Sequence, residues 1–239
     1  MRLKNFILLL RFALYMLRTI PNLNKAKKYA REGKEAERVA VVQRQAKDWT
    51  SYIFKLIKSE VIVHGEEKIP TDQAVVFVAN HQGYLDIPII MHAAPQPVGF
   101  IAKEELRKMP LIGTWMQYKN CIFMERNNVR QSLKAINQGV QYLKEGHSMA
   151  IFPEGTRSKG PEMGEFKPGS FKLATKARVP IVPVTINHSY KLLPEGLKLN
   201  PGVVEVTFSE PIPTEGLSNE ELGRLPQLVQ EEIRKHIKP

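Results

Sequence analysis

From residue 61 onward, short apolar runs alternate with longer stretches of helical periodicity. Runs rich in Val, Ile and Phe, bounded by polar residues, Gly or Pro, predict strands at 61–63, 75–79, 98–102, 121–124, 148–152, 181–186 and 203–208. Spacing near 3.6 residues predicts helices at 87–94, 104–108, 129–144, 171–177 and 219–236. Ser218 is suited to cap the last of these, with Glu220 and Glu221 in its first turn. Elements that alternate in this way predict an α/β fold, a mixed central sheet flanked by helices. The pattern before residue 61 is different. Residues 3–20 are very apolar, interrupted by the cations Lys4, Arg11 and Arg18, spaced by seven. On a helix that spacing sets the three cations about 20° apart, on one narrow stripe beside a broad apolar face. Pro21 and Asn22 are expected to end this helix. A second, longer helix is expected over 23–60, charged in its first half and aromatic and apolar in its second. The division is therefore 1–60, a helical pair, and 61–239, the α/β domain.

Charge sharpens the reading of the helical pair. The net charge is +11, and residues 1–60 hold 14 Lys/Arg against 5 Asp/Glu, so the excess sits in the first quarter of the chain. A basic appendage implies an anionic partner. The apolar face beside the cations selects acidic lipid headgroups over nucleic acid. No uncharged apolar run reaches the roughly 18–20 residues that span a bilayer. Arg11 splits any signal-peptide core, and no small-residue cleavage site follows. The pattern predicts a helix lying in the membrane interface with its cations toward the headgroups. Trp49, Tyr52 and Phe54 are either interfacial anchors or contacts with the main domain. The single Cys121 excludes an internal disulfide and fits a reducing compartment. His64, His92, His147, His188 and His236 show no ligand spacing, so no metal and no cofactor are expected.

Four segments carry candidate chemistry. The first, 80–86, follows the apolar run 74–79 and contains His81, Gly83 and Asp86. On one helix His81 and Asp86 would lie about 140° apart and could not touch. They meet only if the chain between them turns, which Gly83 allows, and Pro88 suits the first turn of the helix that follows. Asp86 is then at or near the helix N-cap. An aspartate accepting from one imidazole nitrogen fixes the tautomer and stabilises the imidazolium formed at the other. Taken alone, such a pair also reads as a cap beside a strand-end histidine. Residues 146–150 have the small residues of a nucleophile elbow, but Ser148 opens a strand instead of ending one. With no protein nucleophile, His81 is expected to activate a substrate hydroxyl directly. The same residues also suit a hydrolase that activates water, or a non-catalytic module bound through its basic arm.

The second segment, 152–158, places Glu154, Gly155, Thr156, Arg157 and Ser158 after a strand. Pro153 stops the ladder, and Gly155 frees the backbone at the strand's carboxyl end, where open α/β sheets bind ligands. Thr156, Arg157 and Ser158 suit an anionic oxygen, and a guanidinium grips phosphate bidentately. Gly155 to Gly160 has P-loop spacing, but Pro161 stands where that motif needs Lys. The third segment, 123–127, puts Arg126 at another strand end. The fourth, 179–184, has Pro180 and Pro183 in an apolar run, which predicts an edge strand or an irregular pocket wall.

In this order and spacing the segments resemble the glycerolipid acyltransferase family, specifically bacterial 1-acyl-sn-glycerol-3-phosphate acyltransferases. The resemblance is carried by His81 and Asp86 (H-x4-D), Phe123 and Arg126 (F-x-x-R), residues 152–158 (F-P-E-G-T-R-S) and residues 179–184 (V-P-I-V-P-V). It covers about 60–190, with no departure inside the motifs. It implies transfer of a fatty acyl group from acyl-CoA or acyl carrier protein, as co-substrate, to the 2-hydroxyl of lysophosphatidic acid, giving phosphatidic acid. Another lysophospholipid or glycerol 3-phosphate is the alternative acceptor. His81 would act as base and Asp86 as its support. Arg126 and Arg157 would hold the acceptor phosphate, with Lys103 a third candidate. Gly155 and Thr156 would belong to the substrate-binding loop, which Glu154 would position without transferring a proton. Oxyanion donors would come from amides near Gly155 or in 179–184. The implied location is the cytoplasmic face of the inner membrane, monotopic or peripheral, on an anionic bilayer surface.

Overall fold

The computed structural model describes residues 3–125, 129–194 and 199–239. Seven strands form one sheet: β1 (Ser59–His64), β2 (Val76–Ala79), β3 (Val98–Lys103), β4 (Ile122–Met124), β5 (Ser148–Ile151), β6 (Ile181–Asn187) and β7 (Gly202–Phe208), in the order β1-β7-β6-β2-β5-β3-β4. All neighbours are parallel except β6 and β7, which run antiparallel. The sheet is mixed, as the alternation of elements predicts. Successive residues of β2 enter opposite layers of core. Phe77 and Ala79 pack on one face, and Val76 and Val78 on the other. This is why the central strands read as unbroken apolar runs.

Helices cover both faces: α4 (Asp86–Ala93), α5 (Ile112–Tyr118), α6 (Val129–Lys144), α7 (Pro168–Ala177), the single turn α8 (Ser189–Leu192) and α9 (Asn219–Arg234). Ser218 caps α9 with a full capping box to Glu221. Residues 104–108 form a 3-10 turn, a tighter element than the helix the pattern predicts. The sequence pattern passes over α5. Trp115 and Met116 on it face the N-terminal arm and a shared cavity.

The N-terminal arm is a helical pair, but its turn is not at Pro21. Helix α1 (Leu3–Arg18) leads almost directly into α2 (Ile20–Arg31), and Pro21 sits in the first turn of α2, where a missing N–H costs nothing. The reversal comes at Gly33, whose φ of +68° suits glycine, and α3 (Glu35–Ile57) returns antiparallel. Asn22 Nδ2 donates to Gln45 Oε1 at 2.8 Å, and the Tyr15 and Tyr52 rings stack at 4.1 Å. Trp49 and Phe54 pack into the core of the α/β domain, so they are contacts with it and not outward anchors. Met16 and Leu23 are buried, whereas Ile7, Leu10, Leu14 and Leu17 are 46–55% exposed along the opposite side of α1. Arg11 and Arg18 are exposed and lie about 80° around the helix from that apolar stripe. The side chain of Lys4 lies outside the described residues. Among the described residues no helix is long and apolar enough to cross a membrane.

Lys119, after α5, is buried, and among the described residues its Nζ donates only to Gln43 Oε1, at 3.4 Å. Desolvation lowers its pKa to about 8, against 10.5 for a free lysine. The unfolded chain therefore binds more protons between pH 8 and 10.5, so this group's contribution to stability rises with pH across that window, and its full cost is felt below pH 8. Lys119→Met is expected to stabilise the fold at pH 7 by roughly 2–3 kcal/mol. Thermal unfolding of both proteins from pH 7 to 10 checks this, and a difference that does not shrink above pH 8 contradicts it.

Candidate active site

Three strands deliver the site. Parallel β2, β5 and β6 end on the same edge of the sheet, with Val78 paired to Ile151 on one side and Pro183 on the other. The chain leaving β2 therefore passes through Asn80 and His81 beside the 152–158 loop leaving β5 and the Ser189 turn leaving β6. Asn80 is buried and secures this corner: its Nδ2 donates to Ile186 O at 2.9 Å, and its Oδ1 accepts from Ile186 N at 2.8 Å.

His81 and Asp86 meet. His81 Nδ1 lies 2.6 Å from Asp86 Oδ2, and the carboxylate is fully buried. Asp86 is the first residue of α4, but its carboxylate caps no helix amide. Oδ2 accepts the Gly83 N–H at 2.8 Å, and Oδ1 accepts the Ser189 hydroxyl. Gly83 earns its place by close approach, since a Cβ there would stand 3.2 Å from Ser189 O. With Nδ1 engaged, Nε2 is left to face a reactant. The imidazole stacks on Phe152, centroids 4.2 Å apart, which fixes the ring plane.

Glu154 joins the two loops. Its Oε1 accepts the His81 backbone N–H at 2.7 Å, and its Oε2 accepts the Gly164 N–H at 2.8 Å. Burial raises its pKa, with Asp86 adding in the same direction, while these amides and His81 pull it back. Ser158 N donates to His81 O at 2.7 Å, and Lys159 N donates to Gln82 O at 3.2 Å, so the 80–86 and 152–160 segments are laced together. Gly155 has φ +72° and gives its amide to Phe152 O. The amides of Thr156 and Arg157 pair with no described residue. Arg157 stacks over Tyr84, its guanidinium carbon 3.5 Å from the ring centroid. Both line a cavity of ≈ 200 Å³ beside the dyad.

Other candidates fall differently. Lys103 ends β3 on the same edge of the sheet, exposed and outside this hydrogen-bonded cluster. Arg126 lies outside the described residues. Segment 179–184 is not an edge: β6 runs between β7 and β2 and is buried throughout. Pro183 lies opposite Ser209, just past the end of β7: Ser209 N donates to Pro183 O, and the reciprocal bond that proline cannot give falls outside the β6–β7 ladder. Within the segment, Val179 N already donates to Ala174 O and Ile181 N to Ile212 O. Sequence reasoning missed Ser189, which reaches Asp86 from 103 residues away. It also missed Lys167, whose Nζ lies 2.8 Å from where a Gly155 Cβ would stand. No local pattern marks either one.

A second cavity, apolar and ≈ 100 Å³, lies among α1, α3, α4 and α5, lined by Met16, Trp49, Ile87, Met91 and Trp115 among others. Ile87 directly follows Asp86, so α4 carries the dyad at its start and a wall of this cavity on its next residues.

A sequence-family model described as Acyltransferase matches residues 60–187, more than half of the chain. The chain belongs to this acyltransferase family. Proteins named 1-acyl-sn-glycerol-3-phosphate acyltransferase are similar to it. The Borreliella burgdorferi protein is 30% identical, with 74% of this chain and 72% of that protein covered. The Saccharomyces cerevisiae protein is 31% identical, with 76% and 61% covered. The crystal structure of PlsC from Thermotoga maritima, a 1-acyl-sn-glycerophosphate (LPA) acyltransferase, matches with a TM-score of 0.76 at 32% identity, covering 98% of this chain and 95% of that one. Against plant and algal relatives such as the Brassica napus chloroplast protein, 36% identical, the chain spans about half their length. The family match encloses the dyad, Arg157 and most of the sheet, while the PlsC match extends over the helical arm as well.

Proposed function

We propose that this chain transfers a fatty acyl group from an acyl thioester, on coenzyme A or acyl carrier protein, to the 2-hydroxyl of lysophosphatidic acid, forming phosphatidic acid. The observation that carries this reading is a buried His–Asp pair with one imidazole nitrogen open and, among the described residues, no protein nucleophile hydrogen-bonded to it. Ser189 gives its hydroxyl to Asp86, and Ser158 gives its own to Gly160 O. Cys121 is buried, with its thiol pushed up to about 11 by desolvation, so it supplies no thiolate. The nucleophile is then the acceptor's own hydroxyl. His81 Nε2 takes its proton as the oxygen attacks the thioester carbon, and Asp86 offsets the imidazolium charge. When the C–S bond breaks, His81 returns that proton to the departing thiolate. The unpaired amides of Thr156 and Arg157 supply oxyanion donors. Arg157 takes the acceptor phosphate together with Arg126, and Lys103 and Lys167 add positive charge on the same side. The apolar cavity next to Ile87 takes acyl chain.

The test is turnover by the purified chain with lysophosphatidic acid, other lysophospholipids and glycerol 3-phosphate, each with both donor carriers. Arg157→Ala is expected to raise the acceptor KM about 10–100-fold with little change in the donor KM. Equal changes in both, or free fatty acid released at the same rate without acceptor, would overturn the assignment.

The exposed stripe of Ile7, Leu10, Leu14 and Leu17, with Arg11 and Arg18 beside it, supports docking on an anionic bilayer, where the acceptor is met. Monotopic or peripheral attachment at the cytoplasmic face of the inner membrane is the location we propose with it. Replacing Arg11 and Arg18 with Glu is expected to weaken sedimentation with anionic vesicles, most strongly at low salt. Unchanged binding at every salt concentration would refute docking through α1.

A further inference from the structure

Among the described residues Arg157 has no carboxylate partner, and its guanidinium lies instead over the Tyr84 ring, 3.5 Å from the centroid. Tyr84 is 49% exposed, so this ring adds little to the core. Its backbone, by contrast, is held where the dyad is held. Tyr84 lies between His81 and Asp86 in the chain and directly follows Gly83, whose N–H donates to Asp86 Oδ2 at 2.8 Å. Tyr84 and Arg157 line the ≈ 200 Å³ cavity beside the dyad, with Lys159 and Tyr190. Gln82 borders it too, but its carboxamide is sealed off and meets no hydrogen-bond partner among the described residues.

We propose that Tyr84 is a positioning residue: its ring is a platform that fixes the plane of the Arg157 guanidinium, and through it the place of the acceptor phosphate relative to His81. This inference rests on the functional reading above. A long arginine side chain loses much rotamer freedom when it grips an anion. A ring against one face of the guanidinium holds the fork in a single plane beforehand and leaves its N–H edge for a pair of phosphate oxygens. A carboxylate could also hold the fork, but it would neutralise the charge that the phosphate needs. Because Tyr84 belongs to the turn that carries His81 and Asp86, the phosphate is referred to the same piece of backbone as the imidazole. The ligand chemistry is a phosphomonoester with a free hydroxyl on a nearby carbon, shared by lysophosphatidic acid and glycerol 3-phosphate.

The test uses the full chain with Tyr84→Phe, Tyr84→Leu, Arg157→Ala and a double variant carrying both Tyr84→Leu and Arg157→Ala. Acceptor KM, donor KM, kcat and thermal midpoint are measured with lysophosphatidic acid and, separately, with glycerol 3-phosphate. Tyr84→Leu keeps apolar bulk and removes the π face. It should raise the KM of whichever phosphomonoester turns over about 5–10-fold, and leave donor KM and kcat within about twofold and the midpoint in place. Tyr84→Phe retains the face and should stay within about twofold of the parent in every constant. In the Arg157→Ala background, Tyr84→Leu should add less than about twofold, because the group that the ring positions is gone. An unchanged acceptor KM in Tyr84→Leu overturns the inference. So does a Tyr84→Phe variant as impaired as Tyr84→Leu, which assigns the effect to the hydroxyl. A fall in kcat or midpoint without a rise in acceptor KM, or an equal penalty from Tyr84→Leu with and without Arg157, overturns it as well. A shift in Arg157→Ala without one in Tyr84→Leu refutes the role of Tyr84 alone. No shift in Arg157→Ala refutes the phosphate subsite itself, and turnover with neither acceptor refutes the functional reading.

Discussion

His81→Ala is expected to lower acyl transfer by roughly 10³–10⁴-fold while the protein remains folded. The size follows from the absence of any substitute. The Ser189 and Ser158 hydroxyls are committed to Asp86 and to Gly160 O, and Glu154 has both carboxylate oxygens occupied by backbone amides. None of these three groups is free to take the hydroxyl proton, so turnover falls toward what positioning alone provides. The fold tolerates the change because the contacts that hold this segment are made by the backbone. His81 N donates to Glu154, and His81 O accepts from Ser158. The lost side-chain contacts are the stack on Phe152 and the bond to Asp86. Acyl transfer, the thermal midpoint and the acceptor KM, measured together, check this. Turnover within tenfold of the parent would remove His81 from the chemistry.

Asp86→Asn is expected to cost roughly 10²–10³-fold in turnover, with only a small loss of stability. The arrangement of donors explains the difference from His81→Ala. Oδ2 accepts from both His81 and Gly83, and Oδ1 only from the Ser189 hydroxyl. An asparagine can keep its carbonyl toward His81 and Gly83 and turn its amide to Ser189, whose hydroxyl reverses from donor to acceptor. The imidazole then keeps its tautomer and orientation. What it loses is the negative charge that stabilises the imidazolium, so the effect falls short of that caused by a wrong tautomer. Asp86→Ala, by contrast, strands the Gly83 amide and the Ser189 hydroxyl in a buried site and should also destabilise by roughly 2–4 kcal/mol. Equal thermal midpoints for the Asn and Ala variants would contradict this account. Adding Ser189→Ala to Asp86→Asn should leave the amide without an acceptor and lower the midpoint further, where Ser189→Ala alone does less.

Much of this was legible along the chain because the signals are local. Strand β2 and its neighbours are apolar runs a few residues long, and α6 has an unbroken amphipathic period, so both are found within a residue or two of their predicted limits. The dyad was legible because five residues and a glycine left only one way for His81 and Asp86 to meet. Errors came where a residue has two local meanings. Pro21 suits the end of one helix as well as the start of the next, and the true reversal is carried by Gly33. Pro183 is excluded from an ordinary interior strand, yet it sits in one because the neighbouring strand has already ended beside it.

The sequence by itself determined the succession of strands along the chain, the sheet class, the His81–Asp86 pair and the cationic, apolar character of α1, all properties of residues near one another in the chain. Only the tertiary structure decided the rest. The strand order puts β2 between β5 and β6, and this alone brings Glu154, Arg157 and Ser189 to a histidine more than 70 residues away. It divides the apolar face of α1, burying Met16 against α3 and leaving Leu10 and Leu14 outward. It also seals Gln82 without a partner. The physical reason is common to all three. Burial and the satisfaction of polar groups are properties of the packed ensemble of strands and loops, whereas sequence periodicity records only which side of its own element a residue occupies.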